Sequence, residues 1–364
     1  MKHTPFIPLE YKFQHVVFNN SKMEDCTEAQ FQDLLGTVIS KDSDLIEIIT
    51  SMKSLRTLVG QQSDYYQKAI LVEENSILIA SQKIIDAYNE EKDKISVQEI
   101  CILWQFLHNL CVGQSSFCQK IWLHFESTIF TLLDSEVDAK LKNVLSAIIL
   151  QMIKNDGSFS SSLQMTNKIA KLLLEVIVND QDGVLQFPLL VIQELLRNQT
   201  EFSVESTYGN LDIRQRFALL DIIAEEKPES LDNRYLQFLV NTFKSQSTIL
   251  MTVLKREEFA EPREVSKVLG ILGNFSHVSE CMPLLQNDKS LLIDAVYLLR
   301  MVHDVGKEKV NLFAPVKNMT EIADREKMES DPVFGFKRDL IRLIGNLCHK
   351  HKENQDQVSF MHIA

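Results

Sequence analysis

Apolar residues recur at helical spacing in residues 335–358, and this spacing constrains the fold more than any other feature of the chain. Positions i, i+3, i+4 and i+7 are apolar, which places them on one stripe of an α-helix. The stripe consists of Leu340, Leu343, Ile344 and Leu347. The basic run 349–352 follows at the C-terminal end of this helix, where cations interact favourably with the negative end of the helix dipole. The polar residues 353–355 then begin a new segment. The pattern predicts a helix, a tight basic corner and a second helix.

Glycine and proline are scarce, at 11 and 8 residues of 364, which is about half of their usual combined share of roughly 12%. Folds rich in sheet need many such turn residues, so an all-α fold is predicted. The chain is also longer than one compact core normally supports. A solenoid avoids that limit because each repeat contacts only its neighbours.

Three helix ends resemble one another over six residues. Two apolar residues come first, then a residue that is small or polar, then Asn, an apolar residue and a small residue. Their asparagines are Asn109, Asn274 and Asn346. The first two are 165 residues apart, close to four units of about 41, a length typical of armadillo or related helical repeats. The last two are 72 residues apart and fit this period less well. The predicted fold is therefore a right-handed α-solenoid of armadillo-like helical repeats with an irregular period.

The asparagines have a structural interpretation and a functional one. A side-chain amide near a helix end can bond carbonyls and amides of the adjoining turn or helix, and would fix how one repeat sits on the next. Alternatively, the amides bind the backbone of a bound peptide. We favour the structural interpretation, because buried polar groups are usually satisfied locally.

The chain divides by pattern into four regions. Residues 1–22 are predicted to be an irregular lead-in, and residues 23–313 the armadillo-like repeats. Residues 314–335 carry two prolines and mixed charge, and are predicted to form a loop. Residues 336–364 are the last region, which carries the apolar stripe.

Several helix starts can be predicted from capping residues. Thr27 with Gln30, and Ser96 with Glu99, have the spacing of capping boxes. Gly113 follows the second of these helices at a position typical of a helix end. Asp42 or Ser43 is predicted to cap the helix that begins near Leu45, and Asn75 to cap the helix that contains Leu78.

The charge balance indicates which partners are suitable. The chain carries 38 basic and 50 acidic side chains, a net charge of −12. This balance opposes binding to nucleic acid or to an anionic membrane surface, and suits basic partner segments. No apolar run approaches the 18 residues that a membrane-spanning helix needs, so no membrane insertion is predicted. Six cysteines without C-x-x-C spacing favour a reduced, cytosolic protein.

No motif of a catalytic, cofactor or metal site is recognised. Phosphate-binding glycine loops, nucleophile elbows and zinc-binding H-E-x-x-H are missing from the sequence. Cys348, His349 and His351 stand at a charged helix end, where adjacent positions do not converge on one ion. His303 and Asp304 form a bare pair without further ligands. The sequence predicts a protein that is not an enzyme and has no cofactor.

Two other functions are alternatives to a protein-binding scaffold. A nuclear-transport armadillo adaptor that binds basic peptides repeats Trp and Asn four residues apart along its groove. Here Trp104 and Asn109 are five residues apart and no other repeat has the pair. An enzyme of unfamiliar type would need a concave cluster of titratable residues in perturbed environments.

The segment FGFKRDLIRLIGNLCHKHKENQDQV at 334–358 resembles the start of the characteristic C-terminal domain of the ataxin-10 family. LLIDAVYLLRMVHDVGKEKVNLF at 291–313 resembles the segment just upstream, and residues 106–122 and 217–223 match more weakly. The resemblance covers about 100–358. In that family the domain continues through at least another repeat, whereas this sequence stops at Ala364, so a C-terminally truncated form is expected.

The resemblance implies a non-catalytic scaffold of the cytoplasm and perinuclear region, associated with the centrosome, the midbody or the ciliary base. It implies roles in cytokinesis, neurite outgrowth and neuron survival. Signalling proteins and a glycosyltransferase are the implied partners, together with self-association. No partner-binding residue can be carried over from the family, because the matching motifs are structural.

Overall fold

The computed structural model describes residues 27–40, 42–61, 64–90, 95–155, 163–180, 183, 185–198, 202–227, 233–253, 262–307 and 335–361. Within these ranges the regular structure consists of α-helices without any strand. The prediction of an all-α helical-repeat fold is therefore confirmed for the described part of the chain.

Seventeen helices occupy these ranges. The first nine are α1 (Glu28–Ile39), α2 (Leu45–Gln61), α3 (Asp64–Leu71), α4 (Glu74–Glu90), α5 (Val97–Cys111), α6 (Ser115–Asp134), α7 (Ala139–Asn155), α8 (Leu163–Asn179) and α9 (Gln186–Asn198). The other eight are α10 (Val204–Gly209), α11 (Ile213–Glu225), α12 (Asn233–Val253), α13 (Pro262–Phe275), α14 (Met282–Asn287), α15 (Lys289–Lys307), α16 (Phe336–Cys348) and α17 (Lys352–Phe360).

The chain forms two compact units. Unit 1 comprises Met1–Ser162 and Glu175–Glu194, and unit 2 comprises Leu163–Leu174 and Leu195–Ala364. Residues 336–361 thus pack within unit 2, where α16 lies against α13 and α15.

Unit 1 is built on a row of helices in which α2 packs on α5 and α5 packs on α7. Helices α1, α4 and α6 pack against this row. Large side chains fill the space between the two sets, and the ring centroids of Trp104 and Phe125 lie 5.6 Å apart at a steep angle, a favourable aromatic arrangement. A well-packed apolar core therefore joins the row to these helices.

Unit 2 repeats this arrangement with a row formed by α11, α13 and α16. Helices α12 and α15 pack against each other and against the row. In α16 the predicted apolar stripe faces this core: Leu340, Leu343 and Leu347 are at most 1% exposed, while Ile344 is half-buried.

The predicted capping boxes are confirmed, and two other predicted caps are wrong. The side chains of Thr27 and Ser96 accept from the third backbone N–H of α1 and α5, and the reciprocal bonds are present. Asn75 lies inside α4, which begins one residue earlier. Helix α2 is capped by Asp44, whose Oδ1 accepts from the backbone N–H of Glu47 at 2.9 Å, and not by the two residues before it.

The predicted lead-in at 1–22 and most of the predicted loop at 314–335 lie outside the described residues; only Gly335 belongs to them. None of the helices in the described ranges is both long and apolar enough to cross a membrane.

Candidate functional site

The corner between α5 and α6 shows how unit 1 turns from its row to the packing helices. Gly113 has a φ of +73°, the left-handed conformation that ends many helices. Gln114 follows with φ −122° and ψ 78°, outside the helical region and immediately before α6. The backbone therefore reverses within three residues after Cys111.

The same corner recurs in unit 2 between α16 and α17. Lys350 takes the left-handed conformation with a φ of 53°, and His351 follows with φ −120° and ψ 94°. Nδ1 of His351 accepts from the backbone N–H of Asn354 at 3.3 Å. The histidine thus caps α17, and it occupies the position that Gln114 occupies before α6. The predicted basic corner is a helix-to-helix turn built on one left-handed residue.

A glutamine from a preceding short helix covers the end of the row helix in both corners. Nε2 of Gln67 lies within hydrogen-bond distance of the carbonyl oxygens of Asn109, Leu110 and Val112, at 3.2, 3.0 and 2.8 Å. Nε2 of Gln286 donates likewise to the carbonyls of Asn346 and His349, at 3.2 and 2.9 Å. The last carbonyls of a helix have no partner within it, so these amides stabilise the corners.

Two of the three sequence-predicted asparagines lie at these corners. Nδ2 of Asn109 donates to the carbonyl of Arg56 in α2 at 3.3 Å. Nδ2 of Asn346 donates to Oγ of Ser276, just after α13, at 2.9 Å. Each amide joins its row helix to the preceding one. Asn274 is exposed at the end of α13, and no left-handed residue follows it, so the structure does not place it in such a corner.

Exposed and half-buried residues line one side of α13 and α16, and we call this surface the α13–α16 face; Lys267 and Gly270 are its half-buried members. Its residues recur at helical spacing on the sides of the two helices that point away from the core of unit 2. They are Arg263, Lys267, Gly270 and Asn274 of α13, and Arg338, Ile341, Arg342 and Gly345 of α16. The two helices run parallel, because Asn346 contacts Ser276 while Arg342 lies one turn earlier against Gly273.

The α13–α16 face is basic although the chain as a whole is acidic. It contains four cationic side chains and no carboxylate of its own. Asp221 of α11 pairs with Lys267, whose Nζ also lies 5.9 Å from the centre of the Phe217 ring. Asp339, which is 8% exposed, accepts from Nε of Arg338 at 3.1 Å. Arg342 makes no ion pair within the described residues, so its charge is available to a ligand.

Two glycines leave the backbone of this face open. A Cβ atom built on Gly270 or Gly345 would have no other atom within 4 Å, so packing within the chain does not require glycine at either position. Glycine inside a helix costs about 1 kcal/mol relative to alanine. Close approach of another backbone is one reason to retain glycine at such a cost. The half-exposed side chain of Ile341 adds an apolar contact, at 59% exposure.

A second cluster, formed by Tyr208, Arg216 and Glu264, is buried in unit 2. The hydroxyl of Tyr208 donates to Oε1 of Glu264, and the side chain of Glu264 is 0% exposed. Nε of Arg216 donates to the carbonyl of Tyr208 at 3.2 Å, and its guanidinium lies 5.2 Å from the ring centre. Burial, and then the hydrogen bond and charge of Glu264, raise the pKa of Tyr208. The carboxylate has no route to a substrate, so the cluster ties α10, α11 and α13 together.

Cys348 and His351, which could suggest a metal site, take part in hydrogen bonds at the corner between α16 and α17. His351 caps α17, and the carbonyl of Cys348 accepts from Nε2 of Gln355 at 2.8 Å. Across the described ranges, His, Cys, Asp and Glu side chains form no group of three or more that could hold a metal ion.

Sequence reasoning did not find the α13–α16 face. The signal was present in α16, where two arginines four residues apart precede a glycine on the same side of the helix. The matching stripe on α13 can be recognised only once the two helices are known to pack side by side.

No protein-family model matches the chain. The curated ataxin-10 of Homo sapiens is 26% identical over 266 residues, which is 70% of this chain and 54% of that protein. The ataxin-10 of Bos taurus is 25% identical over 280 residues, 74% of this chain and 57% of that protein. For Xenopus tropicalis the identity is 28% over 265 residues, 70% of this chain and 53% of that protein.

The chain spans about half the length of these curated relatives. The matched residues cover most of the chain described above, so the similarity is not confined to the motif at 334–358. The chain is a homologue of the proteins named ataxin-10, which confirms the resemblance seen in its sequence.

Proposed function

We propose that this chain is a non-catalytic protein-binding scaffold whose α13–α16 face takes an acidic segment of a partner protein. The observation that carries the proposal is the concentration of cationic side chains and open glycines on one exposed face of a helical row. Homology with ataxin-10 and the all-helical architecture support a scaffold.

Charge complementarity selects the class of partner. Two of the four cations, Lys267 and Arg338, are paired with Asp221 and Asp339. The other two, Arg263 and Arg342, attract acidic segments and repel basic ones. Arginine binds carboxylates with two parallel hydrogen bonds, and it is among the residues most often found to dominate interface energies. Arg342 is exposed and makes no ion pair with any residue that the structure describes, so its guanidinium can make such a contact.

Proximity labelling in cells tests the proposal with a matched pair of charge reversals. Arg342→Glu reverses a charge on the α13–α16 face. Arg300→Glu reverses an exposed charge on α15, outside the helical row of unit 2. Thermal melting of both variants first establishes that each is as folded as the parent.

We expect a set of labelled proteins that disappears with Arg342→Glu, persists with Arg300→Glu and is enriched in acidic segments. An identical set of neighbours for the parent and both variants would contradict the proposal. So would the loss of proteins that carry no acidic segment.

The nuclear-transport alternative requires a surface that attracts basic peptides. The net charge of −12 suits such peptides, but the charge of the α13–α16 face opposes them. No feature of the described residues favours this alternative over an acidic partner.

The cellular role that we propose rests on homology alone. We propose that the chain acts in the cytoplasm and perinuclear region, including the centrosome, midbody or ciliary base, in cytokinesis, neurite outgrowth and neuron survival. Signalling proteins, a glycosyltransferase and a second copy of the chain are the corresponding partners. Imaging of the tagged chain with a centrosomal marker through division tests this role, and uniform staining at every stage would contradict it.

A further inference from the structure

The α13–α16 face offers a ligand two unpaired positive charges. Lys267 and Arg338 each pair with an aspartate of unit 2. Arg263 and Arg342 are exposed, and neither makes an ion pair with any residue that the structure describes. The charges that a bound segment can neutralise are therefore those of these two arginines, one on each helix.

The packing of α13 on α16 determines how far apart the two arginines lie. A Cβ atom built on Gly273 would lie 3.6 Å from Cδ of Arg342, so Arg342 is level with Gly273. Arg263 lies ten residues before Gly273 on α13, which is about 15 Å along the helix axis. Packed helices lie about 8–10 Å apart, so the two backbone positions are separated by about 17 Å.

This separation suits an extended segment. An extended chain advances about 3.3 Å per residue, so two residues that are five apart span about 17 Å. Residues an odd number apart also send their side chains to opposite sides of a strand. One side chain would therefore point toward Arg263 on α13 and the other toward Arg342 on α16.

The surface of α13 beyond Arg263 is suited to contact with an extended backbone. Gly270 and Asn274 lie on the same stripe as Arg263, seven and eleven residues further along. A Cβ atom built on Gly270 would meet no other atom within 4 Å, so another backbone can approach closely there. The amide of Asn274 is exposed and makes no hydrogen bond with any described residue. It can therefore bond a backbone group of the segment, which a helix would already have satisfied internally.

We propose that the α13–α16 face binds an extended segment of a partner protein that carries two acidic side chains five residues apart. Arg263 binds one carboxylate and Arg342 binds the other, each through parallel hydrogen bonds. The inference rests on the proposed scaffold function, and adds to it the spacing of acidic residues that a partner needs.

Two threonine–serine peptides of equal length, each with two glutamates, test the spacing. The glutamates are five residues apart in one peptide and adjacent in the other, so the composition and net charge are identical, and the β-branched threonines favour an extended chain. Each peptide is titrated into the full chain labelled with nitrogen-15 at arginine. Arg263→Lys and Arg342→Lys identify the two Nε signals.

We expect the peptide with spaced glutamates to shift both signals with one common Kd, at least about fivefold lower than that of the other peptide, because it engages both arginines at once. Adjacent glutamates should reach one arginine at a time. Equal Kd values for the two peptides, or tighter binding of the adjacent pair, would overturn the proposed spacing.

Single substitutions show whether both arginines are the contacts. Arg263→Gln and Arg342→Gln each leave one of the two, so each variant should bind both peptides with the same Kd. Arg300→Gln, on α15, is the matched control and should keep the preference of the parent. A preference for spaced glutamates that persists in Arg263→Gln would show that Arg263 is not the second contact, and would overturn the proposal.

The outcomes separate the spacing from the scaffold proposal. If both peptides shift the Arg342 signal with equal Kd, the spacing fails and the acidic partner stands. If neither peptide shifts the Arg263 or Arg342 signal, both the spacing and the proposed function of this face fail.

Discussion

At the scale of the residue, the position of a side chain in the helical rows decides its role more than its type does. Three arginines illustrate this: Arg197 is paired with a buried carboxylate, Arg342 lies exposed on a basic face, and Arg56 is buried and donates to the amide of Gln105. Periodicity in the sequence places the apolar stripe of α16 correctly, because burial follows the helical period. It cannot distinguish the arginines, because their partners come from distant parts of the chain.

The apolar stripe predicts a large effect of truncation at Leu343. This side chain is 0% exposed, so Leu343→Ala should lower the free energy of unfolding by about 2–5 kcal/mol. Ile341→Ala, two residues away and 59% exposed in the parent, should change it by less than about 0.5 kcal/mol. Chemical denaturation followed by circular dichroism measures both. Equal midpoints for the two variants would contradict the assignment of the core face.

The two open glycines predict a conflict between stability and binding. Gly270→Ala and Gly345→Ala should each raise the free energy of unfolding by about 0.5–1 kcal/mol, since the added methyl group meets no neighbour and the helix propensity improves. Both should weaken the binding of an acidic peptide if its backbone approaches this surface. Denaturation and peptide titration on the same samples provide the check. Stabilised variants with undiminished binding would remove the glycines from the proposed site.

His108 predicts a dependence of stability on pH. Burial lowers its pKa to about 4, below the value near 6.5 expected in the unfolded chain. Between these values the unfolded chain binds the additional proton, so the stabilisation present above pH 6.5 is lost as the pH falls toward 4. The loss is ~3 kcal/mol at most. The difference between the parent and His108→Phe, measured by denaturation across this range, should follow that slope, whereas a constant difference would contradict the neutral buried histidine.

At the scale of the element, helix starts are more predictable than helix corners. The capping boxes at Thr27 and Ser96 could be recognised because the donor and acceptor lie three residues apart in the sequence. The predicted cap at Asn75 is wrong, since α4 begins before it. Sequence also gives no sign that Lys350 takes the left-handed conformation that Gly113 takes in the matching corner, because lysine is not a residue that normally marks such a turn.

The two matching corners predict opposite effects of opposite substitutions. Lys350→Gly should raise the free energy of unfolding by about 1 kcal/mol, because glycine adopts a positive φ without the steric cost that a Cβ atom brings. Gly113→Ala should lower it by about 1–2 kcal/mol for the same reason. Thermal melting of both variants measures the signs. A destabilising Lys350→Gly would mean that contacts of the lysine side chain outweigh backbone strain at this corner.

At the scale of the whole molecule, composition predicts the fold class but not the charge of the binding surface. Few glycines and prolines, a large apolar fraction and recurring helical stripes suffice for an all-α fold. Net charge is a sum over the whole chain, so a value of −12 does not show that one local face carries four cations. The sequence therefore suits basic partners, whereas the α13–α16 face suits acidic ones, and only the packing of α13 beside α16 makes the difference visible.

Titration of the full chain with two labelled peptides, a decamer of glutamate and a decamer of lysine, decides between these expectations. Fluorescence anisotropy should show saturable binding of the glutamate peptide that Arg342→Glu weakens by at least about tenfold. Arg300→Glu should leave that binding unchanged. Binding of the lysine peptide alone, or glutamate binding that is indifferent to Arg342, would contradict the account.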